Sequence, residues 1–126
     1  MSLQTLHKFH RLGQLADSTF ESQLDKLNVT ARQAHLLGTI QSNPGASQTF
    51  LVEKTNVDRS TLSDIVRRTT KKGLTKRTRS TKDARAYNVT LTSAGERVAS
   101  EVSKIANRIT DDLLTAAKAL GVTVRN

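Results

Sequence analysis

The 126-residue chain has no cysteine, and its aromatic content is three Phe and one Tyr with no tryptophan. The missing thiols exclude disulfides, thiolate catalysis, thiol redox sensing and cysteine-type zinc sites together. With so few rings, Leu, Val, Ile and Ala must fill the interior. No apolar run approaches the roughly 18 residues of a membrane span, and the opening MSLQTLHKFH lacks the basic-then-apolar layout of a secretory signal. The chain is therefore expected in the cytoplasm with no membrane partner. Glycine-rich phosphate loops and GxSxG are missing as well. His7 and His10 lie one helical turn apart, but the only other histidine is His35, so a surface position is expected for them rather than a shared metal. Asp111 and Asp112 are adjacent on a helix and diverge. The expectation is a protein that is not an enzyme and needs no metal or cofactor.

What is present is positive charge in one place. Hydrophobic residues make up 36% and charged ones 25%, ordinary globular usage, while the formal net charge is +9. Between Asp58 and Arg85 stand ten basic and three acidic residues, a net +7, which leaves +2 for the other 98 positions. Solvated surfaces normally mix both signs. A one-signed patch fits a polyanion, because neutralising phosphates releases counterions without special geometry.

Periodicity divides the chain into mostly helical pieces, and residues 1–126 are expected to form a single domain. Leu3, Leu6, Phe9, Leu12, Ala16, Phe20, Leu24 and Leu27 recur at three- and four-residue steps, predicting a first helix over 3–27. Thr30 and Gln33 form a capping-box signal for a second helix, which must end before Asn43-Pro44-Gly45. Ser47 caps a short helix that stops near Asn56. Asp58 caps the next, with Leu62, Ile65, Val66 and Thr69 as its inward stripe and Gly73 at its end. LTKRTRS and AYNVTLT then alternate as the strands of a hairpin joined by STKDAR, with Tyr87, Val89 and Leu91 on one side. Ser93 and Glu96 suggest a second capping box, opening a helix over 93–120 whose stripe runs from Val98 to Leu120. At about 1.5 Å per residue it is about 40 Å long. So small a body cannot cover that length, and part of it is expected to meet another chain.

The fold class is thus mainly α with a small β-hairpin, its centre a winged helix-turn-helix of about 28–92. Leu51, Val57, Leu62 and Ile65 fall where such a motif locks its helices, and Asn56 stands where a positive φ is wanted. Val52 occupies a position where a smaller residue is commoner. If the stripe faces inward, steps of about 100° place Ser60, Asp64, Arg67 and Lys71 outward, flanked by Ser63 and Arg68. That face suits a major groove: Arg67 for a guanine edge, Ser60 and Ser63 for several bases, Lys71 and Lys72 for phosphates. Asp64 either accepts from a cytosine amino group or orients Arg67 or Arg68.

The stretch from Leu27 to Val98 resembles the MarR family of winged-helix regulators. The resemblance is carried by VDRSTLSDIVRRTTKKGLTKR, by STKDARAYNVTLT, and by TSAGERV, above all by Asp83-x-Arg85 followed by Leu91, Thr92 and Gly95. It implies homodimers built from the first and last helices, here about 3–27 and 93–120, a major-groove helix at 58–72, and a wing at 79–86 braced by Asp83 and Arg85. It also implies a possible small-molecule effector, for which no residues are assigned, in a pocket that is expected to be smaller or missing. Ala84 stands where many members carry a further basic residue, which leaves Lys82 or Arg79 beside Arg85 for the minor groove. A further C-terminal helix is implied too; GVTVRN is too short for it, so the dimer is expected to rest on the two long helices.

The candidate DNA-binding residues are Ser47 and Gln48, then Arg59, Ser60, Thr61, Ser63, Asp64, Arg67, Arg68 and Lys71, and in the wing Arg79, Lys82 and Arg85. Two readings follow. One is a homodimeric regulator, expected to be a repressor, bound to double-stranded DNA at a palindromic operator. The other is a non-catalytic adaptor that turns the same basic surface to RNA or an acidic protein.

Overall fold

The computed structural model describes residues 2–80 and 86–122. Among them the elements run α1 (Leu3–Lys26), α2 (Ala31–Ser42), α3 (Gln48–Thr55), α4 (Arg59–Lys71), β1 (Thr75–Arg79), β2 (Tyr87–Leu91) and α5 (Ser93–Ala119). The predicted order of helices and hairpin is the observed one, and its local causes are visible at each helix start. Thr30 and Gln33 complete their capping box, with Gln33 N to Thr30 Oγ1 at 3.1 Å and Thr30 N to Gln33 Oε1 at 3.2 Å. The Ser47 hydroxyl accepts from the Phe50 amide at 3.0 Å and the Asp58 carboxylate from the Thr61 amide at 3.1 Å. Asn56 sits at φ 56°, the left-handed conformation that closes α3.

The start of α5 departs from expectation by one residue. Thr92, not Ser93, is the cap: its backbone is extended and its hydroxyl accepts from the Gly95 amide at 3.0 Å. The reason is a second duty. The same hydroxyl donates to the Gly73 carbonyl at 2.6 Å, so the cap also fastens α5 to the end of α4. Glu96 forms no box with Ser93; its Oε2 accepts from Gln41 Nε2 of α2 at 3.3 Å.

Two hydrophobic clusters share α2. Ala34 and Leu37 pack with Leu24, Val29, Leu74, Ala99 and Val102, joining α1, α2 and α5. Leu36 and Ile40, on a neighbouring arc, pack with Leu51, Leu62, Ile65, Val66 and Val89 beneath the helix-turn-helix. Partly buried Leu91 touches both. Val52 packs against the second cluster, so the larger side chain is accommodated there. The hairpin pairs antiparallel with Thr75 opposite Leu91, Arg77 opposite Val89 and Arg79 opposite Tyr87. Val89 is the buried member of its face and Tyr87 lies exposed toward the end. The α2–α3 connection extends this sheet: Val89 N donates to Ala46 O at 3.0 Å, and Ser47 bridges Asn88.

The outer half of α1 is left uncovered, with Leu3, Leu6 and Leu15 exposed by 82%, 59% and 60%. Beside it a groove lined by Leu12, Leu15, Ala16, Ile109 and Leu113 runs between α1 and α5. No helix among the described residues is long and apolar enough to cross a membrane.

Among the glycines, Gly95 makes the tight backbone approach: a Cβ there would lie 1.9 Å from the Leu74 carbonyl oxygen and 2.9 Å from its carbon. Neither atom is a flexible side-chain end. Gly95→Ala therefore forces α5 away from the α4–β1 junction and is expected to cost about 2 kcal/mol of stability, as overpacking does. Urea unfolding measures this; an unchanged midpoint would contradict the packing described.

Candidate nucleic-acid interface

The positively charged surface is assembled on α4, whose buried residues are Leu62, Ile65, Val66 and Thr69, the predicted inward stripe. Ser60, Arg67 and Lys71 are exposed on the other side, Arg59 and Arg68 beside them, and Asp64 and Thr61 are half-buried. The underside is not purely aliphatic. Thr69 Oγ1 donates to Val66 O at 3.0 Å and lies 2.8 Å from Thr75 Oγ1, which is 2.9 Å from Thr70 Oγ1, so hydroxyls lock the end of α4 to the first residue of β1.

Asp64 is the organiser of the outward face. One carboxylate oxygen pairs with the Arg67 guanidinium, and the other accepts from Arg68 Nε at 2.9 Å. Of the two roles open to it, the orienting one is the contact observed. Hydrogen bonds from Arg68 and then Arg67 hold the Asp64 carboxyl below the usual carboxylate range. Asp58 is also lowered, by the Thr61 hydroxyl and then its amide.

Ser63 is a junction between elements. Its hydroxyl accepts from Gln48 Nε2 at 2.7 Å, and its carbonyl accepts from Arg77 at 3.2 Å, so α3, α4 and β1 meet at one residue. Arg59 reaches back to Thr49 Oγ1 at 3.3 Å. Half-buried Ser47, besides capping α3, pairs with the hairpin. Arg79 stacks over the Tyr87 ring, 5.3 Å from its centroid. Lys82, Asp83 and Arg85, the candidates at the wing tip and its brace, lie outside the described residues.

Lys72, expected at a phosphate, is exposed, and its ammonium donates to Asn28 O at 2.6 Å and Gln33 Oε1 at 2.8 Å. Arg77 was missed; the signal was its place opposite inward-facing Val89 in an alternating strand, which brings a long side chain back toward α4. Elsewhere, a hollow of about 450 Å³ opens between α1, α2 and α5, lined among others by Phe20, Ala34, His35, Gly38 and Val102. His7 and His10 are both exposed, and no group of three or more metal-binding side chains occurs among the described residues.

Helix-turn-helix, hairpin and the tie between α3, α4 and β1 define a winged-helix protein. Comparisons with known proteins narrow the class. The sequence model of the MarR family matches residues 29–87. The transcriptional regulator HosA of Escherichia coli is 29% identical over 107 residues, spanning 84% of this chain and 79% of HosA. Among solved structures, a mutant of E. coli MarR complexed with operator DNA superposes with a TM-score of 0.75 at 22% identity, covering 90% of this chain and 82% of that one. The S. aureus MepR–DNA complex gives 0.78 at 19%, covering 92% and 85%. The chain is thus similar, over residues 29–87, to the MarR family of transcriptional regulators, whose members are not enzymes, and it shares their winged-helix fold.

Because its folded-state value is depressed, the Asp64 clamp is complete above the unfolded-state value and is lost as pH falls through the lowered one. A carboxyl titration by NMR is expected to place the Asp64 midpoint below that of an ordinary aspartate. Arg68→Ala should move it back up; a midpoint indifferent to that change would remove the clamp.

Proposed function

We propose that the protein is a sequence-specific double-stranded DNA-binding repressor that works as a homodimer in the cytoplasm, with α4 in the major groove and the wing over 79–86 at the minor groove. The carrying observation is the outward face of α4, whose cations are exposed while its underside is fixed into the core. Arg67 reads a guanine edge through its guanidinium fork, with Asp64 holding it extended. Ser60, Thr61 and Ser63 offer hydroxyls at neighbouring bases. Arg59, Arg68 and Lys71 neutralise phosphates, and Ser47 and Gln48 hydrogen-bond to them at the start of α3. At the wing, Arg79 is mounted on Tyr87, and from the sequence Lys82 and Arg85 are assigned to the same groove, with Asp83 as the brace. That MarR and MepR were crystallised with DNA supports this assignment of partner. The uncovered Leu3, Leu6 and Leu15 support a second copy packing along α1 and α5, with residues 1–126 of each chain as a single domain.

Selection of bound duplexes from a random pool tests the proposal. A palindrome with half-sites about one turn, ~34 Å, apart is expected. Arg67→Ala should cost roughly 1–3 kcal/mol at one base position and relax preference there, whereas Lys71→Ala should weaken all sequences alike and flatten the salt slope by about one unit. Sequence-blind losses from both would refute base reading by Arg67, and preference for RNA over every duplex would favour the adaptor. Leu6→Glu with Leu15→Glu should yield monomers by sedimentation; an unaltered dimer would place the interface elsewhere.

A further inference from the structure

Two lysines end the recognition helix, and the fold treats them differently. Both are exposed, and Lys71 stands at the end of the outward face; the difference lies in what the Lys72 ammonium bonds to. Lys72, about 100° further round, sends its ammonium across to the corner between α1 and α2. There it donates to the carbonyl of Asn28 at 2.6 Å and to Gln33 Oε1 at 2.8 Å. Both acceptors are themselves fixed. Asn28 holds a left-handed backbone, φ 57°, which sets where its carbonyl points. Gln33 is buried, and its Oε1 simultaneously accepts from the Thr30 amide at 3.2 Å as half of the capping box. One amide oxygen therefore closes the start of α2 and anchors the end of α4.

We propose that Lys72 is a positioning residue for DNA recognition: it fixes how α4 lies relative to the α1–α2 corner and makes no phosphate contact itself. The inference rests on the DNA-binding function proposed above. Apolar contact between α4 and α2 is non-directional and resists sliding or rotation only weakly. Two charge-assisted hydrogen bonds to fixed oxygens are short and directional. They act at the far end of the recognition helix from its Asp58 cap, where a small rotation displaces Arg67 and Lys71 most. Because the corner continues directly into α1, the same bonds tie the setting of α4 to the helix assigned to the dimer. To reach a phosphate, the ammonium would have to abandon both acceptors.

Salt dependence separates positioning from contact. In Lys72→Met the affinity for the selected duplex is expected to fall about fivefold with the slope of log affinity against log salt unchanged. Lys71→Ala, by contrast, should flatten that slope by about one unit. A slope flattened equally by Lys72→Met overturns the proposal. A second measurement uses the unmodified protein without DNA: competitive acetylation should label Lys72 several-fold more slowly than Lys71, since the reagent must first break both bonds. Equal rates would place the ammonium in solvent and overturn the proposal even if Lys72→Met fails to fold. A wild-type protein that prefers no duplex refutes the DNA reading, and the labelling ratio still decides where Lys72 is held.

Discussion

The architecture depends on one close approach, that of the first turn of α5 to the junction between α4 and β1. It exists because Gly95 has no side chain and because Thr92 supplies the polar contacts that a bare backbone crossing lacks. Its amide donates to Leu74 O at 3.0 Å and its hydroxyl to Gly73 O at 2.6 Å. The exit of α4 is thereby closed twice. Gly73 turns the chain at φ 77° with its amide on Thr70 O, and the neighbouring helix covers the carbonyls that the turn exposes. With that end fixed, the direction of α4 and the departure of the hairpin are set together.

Electrostatics acts on this frame locally. Asp64 is an acidic residue inside a strongly basic segment, and its two ion pairs show why it is tolerated. Surface pairs of this kind add little to folding, but they limit the rotamers of two long side chains that would otherwise lose more freedom on binding. Lys72 represents a different use of charge, its ammonium bonded to the protein's own Asn28 and Gln33 at the surface. A count of positive residues treats Arg67, Lys71 and Lys72 as equivalent; their hydrogen-bond partners do not.

Much of this was legible in the sequence. Apolar spacing placed the inward face of α4 at Leu62, Ile65, Val66 and Thr69, and cap residues marked the starts of α2, α3 and α4, because these signals act within one or two turns. Asn56 announced its positive φ for the same reason. The errors arose where the deciding partner lay far along the chain. Ser93 and Glu96 satisfied the local rule for a box, but Thr92 won through its bond to Gly73. Lys72 looked like its neighbour until Asn28 and Gln33, some forty positions away, came beside it. The tie from Arg77 to Ser63 depends likewise on a strand returning to a helix.

The shared use of α2 constrains how the chain can change in length. Leu36 and Leu37 are consecutive yet belong to different clusters, so each arc of the helix is assigned. Adding or deleting one residue within α2 would rotate everything downstream by about 100°, presenting each cluster with the other's side chains. The corners between helices carry no such assignment, so α2 is the fixed ruler of the chain and a change of length belongs outside it.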